Sequence, residues 1–142
     1  MIELRLMPAA VANATRQALR CAGLTPDEIG HVHGHGLATR QCDIDEARGL
    51  GQVFGDRAVP VVAAKSSFGN LGAGGGLVET IASVMALRHG HLFPTLNYET
   101  PDPDCPLRVV VSADEPAGDS FVNVNLTPQG QTGAVVVRRF TG

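Results

Sequence analysis

Val59-Pro60-Val61-Val62-Ala63-Ala64 is an unbroken apolar run, closed by Lys65 and followed by Ser66-Ser67-Phe68-Gly69-Asn70. A run this short and uniformly apolar predicts a strand covered on both faces, as in the parallel sheet of an α/β domain. Upstream, Asp43-Ile44-Asp45-Glu46 has the cap-plus-three pattern of a helix start and opens a helix over 44–54, stopped by Gly55. Residues 29–34 read as an earlier strand, and Thr25-Pro26-Asp27-Glu28 caps one short turn before it. The steps between Pro8, Val11, Ala14, Ala18 and Cys21 predict a first helix over 8–22, with Cys21 in the core.

Downstream, Leu77, Ile81, Val84, Met85 and His89 recur at helical spacing, so a third helix is expected over 70–88 with Gly90 as its stop. Its opening, Gly72-Ala73-Gly74-Gly75-Gly76, costs about 1 kcal/mol per Gly relative to Ala. That cost predicts another backbone packed closely against it. A Pro-rich connector (Pro94, Pro101, Pro103, Pro106) leads to strand-like runs over 107–112, 120–126 and 134–139. This order predicts an α/β fold: an open mixed sheet with a parallel centre, antiparallel edge strands and helices packed on it.

Ligands of such sheets bind beyond the carboxyl ends of the parallel strands, which selects the loops over 35–42 and 65–69. These bring His35, Lys65 and Asn70 to one rim. A neutral imidazole and a carboxamide can both donate to a carbonyl oxygen as it becomes an oxyanion or enolate, with Lys65 as a charged anchor.

The 142 residues suffice for a single domain over 1–142, and 44% hydrophobic with 18% charged residues is globular composition. A net charge of −3 without a basic run argues against nucleic-acid or anionic-membrane partners. Apolar stretches fall short of the roughly 18 residues of a bilayer span and no secretion signal opens the chain, so a cytoplasmic protein is expected. Three Cys without a CxxC give neither a disulfide framework nor a zinc knuckle. With 17 Gly, 9 Pro and no Trp, the core must be aliphatic.

Other residues carry rival readings. His31, His33 and His35 alternate, so on a strand they share a face and could hold a metal with Cys42 or His89 and His91; no carboxylate is fixed beside them, and no metal is the expectation. Cys42 precedes a helix start, where the dipole lowers a thiol pKa, or is simply an inert residue ahead of the Asp43 cap. Arg40, Arg138 and Arg139 are solvated cations or contacts to a phosphate. Ser66 and Ser67 read as caps.

In order along the chain stand His35-Gly36-Leu37-Ala38-Thr39, Asp43-Ile44-Asp45-Glu46-Ala47, Lys65-Ser66-Ser67-Phe68-Gly69-Asn70, the Gly-rich helix with Glu79, and Pro94-Thr95-Leu96-Asn97. Over nearly its whole length the chain resembles the C-terminal half of an elongating β-ketoacyl synthase of the thiolase-like fold. The resemblance implies that His35 is an active-site histidine of an H-G-T-G-T motif and that Lys65 belongs to K-S-x-x-G-H. It further implies that Glu79 pairs with Lys65, that Thr39 and Asp43 support the site, and that the Gly-rich helix packs against a second, pseudo-symmetric half. The implied reaction is a decarboxylative Claisen condensation of an acyl thioester with malonyl on acyl carrier protein, with no cofactor and the phosphopantetheine thioester as the partner's reactive end.

Three departures stand out. Asn70 occupies the second histidine's place, Asn125-Leu126-Thr127-Pro128-Gln129-Gly130 replaces a glycine-rich closing loop, and the nucleophilic cysteine belongs to an N-terminal half that these residues do not include. The segment before Pro8 is too short for a first strand unless Ile2–Leu6 is its remnant. Alone, the chain is expected to be inactive and to self-associate as a homo-oligomer through an exposed sheet edge and helix face. A non-catalytic ketosynthase partner, akin to a chain-length factor, is the alternative; a metal-binding module is a lesser one.

Overall fold

The computed structural model describes residues 7–142, so the reading of Ile2–Leu6 lies outside the described residues. Four helices, α1 (Met7–Ala22), α2 (Arg40–Phe54), α3 (Lys65–Phe68) and α4 (Gly75–His89), surround five strands, β1 (His31–His33), β2 (Pro60–Val62), β3 (Arg108–Val109), β4 (Ser120–Leu126) and β5 (Thr132–Arg138). The strands form one sheet in the order β3-β2-β1-β4-β5. β1 runs parallel to both β2 and β4, and β2 to β3, while β5 closes the edge antiparallel to β4. This is the mixed sheet expected from the sequence.

Alternation along the strands gives the two sheet faces different chemistry. Val32, Val61, Val122, Val124 and Leu126 join Met7, Val11 and Leu19 of α1 and Leu50 and Phe54 of α2 in one aliphatic core. Helix α1 lies so close to α2 that a Cβ on Gly49 would sit 2.5 Å from Val11 Cβ. On this helix the buried stripe is Met7, Val11, Ala12, Thr15 and Leu19, and Cys21 is exposed, contrary to expectation. The larger Met7 and Leu19 turn inward, and Thr15 can follow them because its hydroxyl donates to Val11 O at 2.8 Å.

The opposite face, under α4, is polar at its centre. His31 and His33 are fully buried there, on either side of the Ser83 hydroxyl of α4. Their protonation follows from their partners. Ala117 O accepts from His31 Nδ1 at 2.8 Å, so His31 Nε2 carries the lone pair and receives the Ser83 proton at 3.0 Å. The Ala64 amide donates to His33 Nε2 at 3.2 Å, so His33 Nδ1–H donates to Ser83 at 2.8 Å. One hydroxyl thus serves two neutral imidazoles, and burial lowers them from the ordinary 6.5 to about 4 for His31 and about 3 for His33. Their contribution to stability is complete above pH 6.5 and is lost as pH falls through those values. With every ring nitrogen engaged, neither ring has a lone pair for a metal, and His35 lies beyond the strand end.

The third helix expected over 70–88 is a 3-10 turn over Gly72–Gly74 followed by α4, with α3 a separate short turn ahead of it. On α4 it is Glu79, Ser83, Ala86 and Leu87 that are buried, while Leu77, Ile81 and Met85 are 68%, 53% and 43% exposed. The expected apolar stripe therefore faces outward. A Cβ at Gly72 or Gly74 would meet nothing within 4 Å, so the close backbone expected against these glycines is not one of this chain's described segments. No described helix is long and apolar enough to cross a membrane.

Ser83→Ala would leave a buried acceptor on His31 and a buried donor on His33 without partners, at a cost of about 2–4 kcal/mol. Urea denaturation of wild type and variant measures it.

Candidate active site

The parallel strands β1 and β2 both end at one cleft of about 790 Å³, lined by Gly34, Gly36, Lys65, Asn70, Thr95 and Tyr98, among others. Beside it, His35 leaves β1 in a loop of two left-handed residues, Gly36 (φ 50°) and Ala38 (φ 63°). Glycine is required at 36, where a Cβ would approach Ala63 Cβ to 2.6 Å. The loop runs straight into α2, which begins at Arg40, four residues before the expected start; Thr39 is its N-cap residue, with no capping bond from its side chain. Asp43 therefore lies within the first turn, its amide bonded to Thr39 O at 2.9 Å. Its carboxyl is drawn to the Leu37 and Ala38 amides, although burial outweighs them and holds its pKa above the usual range. The expected cap thus does not cap α2, and its Oδ1 is buried without a hydrogen-bond partner among the described residues.

Lys65 ends the β2 segment and opens α3 with its side chain turned inward, 6% exposed, onto the completely buried Glu79 of α4. The ammonium forms an ion pair and hydrogen bond with Glu79 Oε1. It also lies 3.3 Å from His35 Nδ1. That nitrogen also receives the Leu126 amide of β4 at 3.3 Å. Two donors on Nδ1 define it as the acceptor, so neutral His35 carries its proton on Nε2. Burial first, and the Lys65 charge second, lower the His35 pKa and favour the neutral ring, while the Asn125 side chain acts in the opposite direction. The product is an imidazole N–H donor whose tautomer is set from behind.

Asn70 is exposed at the cleft's lip, and its carbonyl oxygen accepts the Gly72 amide at 3.1 Å. The carboxamide nitrogen is left as a donor. His35, Lys65 and Glu79 form one contiguous network, and Lys65, Asn70 and Asp43 line the same cleft; Thr39 and Asp43 stand at the start of α2 without a hydrogen bond to that network. The Cys42 thiol lies in the first turn of α2, where burial and then the Glu46 and Asp43 charges push its pKa up to about 11. It is not an activated nucleophile.

Glu46 was read in the sequence only as part of a capping pattern, yet its buried carboxylate accepts the His35 amide at 2.5 Å and the Gly36 amide at 3.0 Å. A carboxylate in a helix that follows a strand through a short loop returns beneath that strand's end, and this spacing was its signal. Asn123, which donates to Gly76 O at 3.0 Å and Thr80 Oγ1 at 2.8 Å, was also unmarked.

Residues 3–99 match the sequence model of the β-ketoacyl synthase C-terminal domain. The chain belongs to the β-ketoacyl synthase family. It is 34% identical over 127 residues to 3-oxoacyl-(acyl-carrier-protein) synthase 2 of Coxiella burnetii, covering 87% of this chain and 31% of that one. To the tetracenomycin polyketide synthase ketoacyl synthase alpha subunit of Streptomyces glaucescens it is 39% identical over 133 residues, covering 91% and 31%. Among solved structures, the ishigamide ketosynthase/chain length factor superposes with a TM-score of 0.90 at 30% identity, covering 94% of this chain and 34% of that one. The sheet and helices are thus those of a ketosynthase. The chain spans about a third of the length of these relatives.

Within this ketosynthase segment, Lys65→Ala would strand the Glu79 charge in the interior and destabilise by about 3–5 kcal/mol, whereas Lys65→Met with Glu79→Leu would recover most of that loss. Urea denaturation of the two variants tests this. Ala38→Gly relieves a left-handed alanine and should stabilise by about 0.5–1 kcal/mol after allowing for glycine's freedom in the unfolded chain; thermal denaturation reads the gain.

Proposed function

We propose that the chain supplies the thioester-oxygen half of a ketosynthase active site. The carrying observation is the His35 ring: Lys65 and the Leu126 amide both donate to Nδ1, so the proton sits on Nε2 of a residue flanked by the cleft-lining Gly34 and Gly36. In a decarboxylative Claisen condensation, the carbonyl oxygen of a malonyl thioester gains charge as CO₂ departs, and a fixed N–H at that oxygen lowers the barrier. His35 Nε2–H is one such donor and the Asn70 carboxamide the second. Lys65, neutralised by Glu79, supports the imidazole and keeps it from taking a proton.

The nucleophile that carries the acyl chain comes from the portion of the ketosynthase outside these residues, and the segment alone does not condense acyl groups. The malonyl donor is a carrier-protein thioester. One structural match, at 26% identity, comes from a complex of an acyl-carrier protein with its ketosynthase, and supports this partner. The outward strip of Leu77, Val78, Ile81 and Met85, with Phe68 and Leu71, is the surface against which the remainder of a ketosynthase packs. Left uncovered, it drives association between copies of the chain. A cytoplasmic location is part of the same reading.

A non-catalytic partner subunit is the second reading, favoured by Asn70 at the lip and by the Leu126-Thr127-Pro128 closing segment. The two separate in one experiment: the chain is combined with a ketosynthase N-terminal half bearing a nucleophilic Cys, then given acyl and malonyl carrier protein. Formation of 3-oxoacyl product, lowered at least about tenfold by His35→Ala, supports the first reading. No product from a folded complex supports the second, and product from the isolated chain overturns its dependence on another half.

A further inference from the structure

The carboxylate of Glu46 takes no part in that reading, yet it sits directly behind the imidazole's backbone. Oε1 receives the His35 amide and Oε2 the Gly36 amide, one oxygen to each of two successive peptide groups. Glu46 is only 4% exposed. The strand end is packed down onto it, since a Cβ on Gly34 would come within 3.1 Å of Oε1. The peptide groups it grips also set the aim of the ring, whose Nδ1 must meet Lys65 on one element and Leu126 on another.

We propose that Glu46 is a positioning residue acting through His35: its ionised carboxylate clamps the His35–Gly36 backbone, and taking up a proton loosens the clamp and the ring's alignment with it. The proposal rests on His35 as the oxygen-facing donor. A carboxylate offers an acceptor to each amide, whereas a carboxylic acid turns one oxygen into an O–H donor, which cannot serve the second amide equally.

The charged and titratable groups around Glu46 are Asp43 and Cys42 on its own helix, Lys65 from α3 and His35 from the end of β1. Burial dominates and raises Glu46 from the ordinary 4.5 to about 7; the Gly36 and His35 amides pull it down, Asp43 pushes it up and Lys65 lowers it. A raised carboxylate pKa means that the folded chain holds this proton more tightly than the unfolded one. Stability from Glu46 is therefore full below about pH 4.5 and is lost as pH rises through about 7. The ionised clamp weakens the fold, a cost that a purely structural prop such as glutamine would not carry.

The test is a pH titration of the uniformly ¹³C,¹⁵N-labelled 142-residue chain by NMR, following the Glu46 carboxyl carbon and the ring nitrogens of His35, with His31 and His33 as internal controls. The expected result is a Glu46 midpoint near 7. His35 should carry its proton on Nε2 above that midpoint and share it between both nitrogens below it, while the control rings stay unchanged. Glu46→Gln should show the shared pattern at every pH. A His35 tautomer that does not change across the Glu46 midpoint overturns the proposal, as does a midpoint in the ordinary carboxylate range. If Glu46→Gln fails to fold, the wild-type titration decides alone. A rigid His35 in an active reconstituted ketosynthase defeats the clamp alone; a ring that follows Glu46 in an inactive complex defeats the thioester-oxygen reading alone.

Discussion

A lysine ammonium and a glutamate carboxylate meet in the interior between the sheet and α4, and the site is arranged around the need to keep them together. Glu79 is completely buried and one of its oxygens, Oε2, has no hydrogen-bond partner, so Lys65 is the charge that makes its ionised form tolerable. To reach it, Lys65 must leave the end of β2 pointing inward, which starts α3 where a continued strand would carry the side chain away. The same ammonium then lies against His35, keeping a proton off the ring and holding Nδ1 as an acceptor. Charge burial, loop geometry and tautomer are consequences of one pair.

The remainder of the polar layer extends this arrangement. Ser83 joins His31 to His33, His33 accepts from the Ala64 amide beside Lys65, and Asn123 ties β4 to the first turn and a half of α4. Phe121 closes the layer at one end by stacking on His31 at 5.2 Å between ring centres. Hydrogen bonds are directional, so this layer fixes the register of α4 over the sheet in a way that aliphatic packing alone would not. The approach of α1 to α2 at Gly49, by contrast, is governed by shape.

The parts of this molecule legible from its sequence are those in which local pattern and tertiary packing agree. The bounds expected for β4, 120–126, are those observed, because that strand alternates between two buried layers and ends at a turn. The junction of His35 with Lys65 followed from chain connectivity across two parallel strands. The orientation of α4 did not, because most of its apolar stripe faces away from this sheet, and the groups that hold it down are Glu79, Ser83, Ala86 and Leu87. Asp43 was misplaced because α2 starts earlier, directly after the left-handed residue Ala38 and the N-cap residue Thr39, which puts Asp43 inside the first turn. The roles of Ser83 and Glu46 depend on partners far along the chain, which no short window contains.

The two kinds of contact also respond differently to temperature. The grip of α1 and α2 is aliphatic, and such contacts weaken on cooling because exposing apolar surface raises the heat capacity and its hydration becomes enthalpically favourable in the cold. The layer under α4 adds hydrogen bonds and charge, whose enthalpy persists in the cold, to an apolar cluster of its own that includes Val62, Ala86, Leu87, Leu92 and Phe121. Chilling should thus weaken the apolar contacts of both faces and leave the imidazole, ammonium and carboxylate of the cleft still in register.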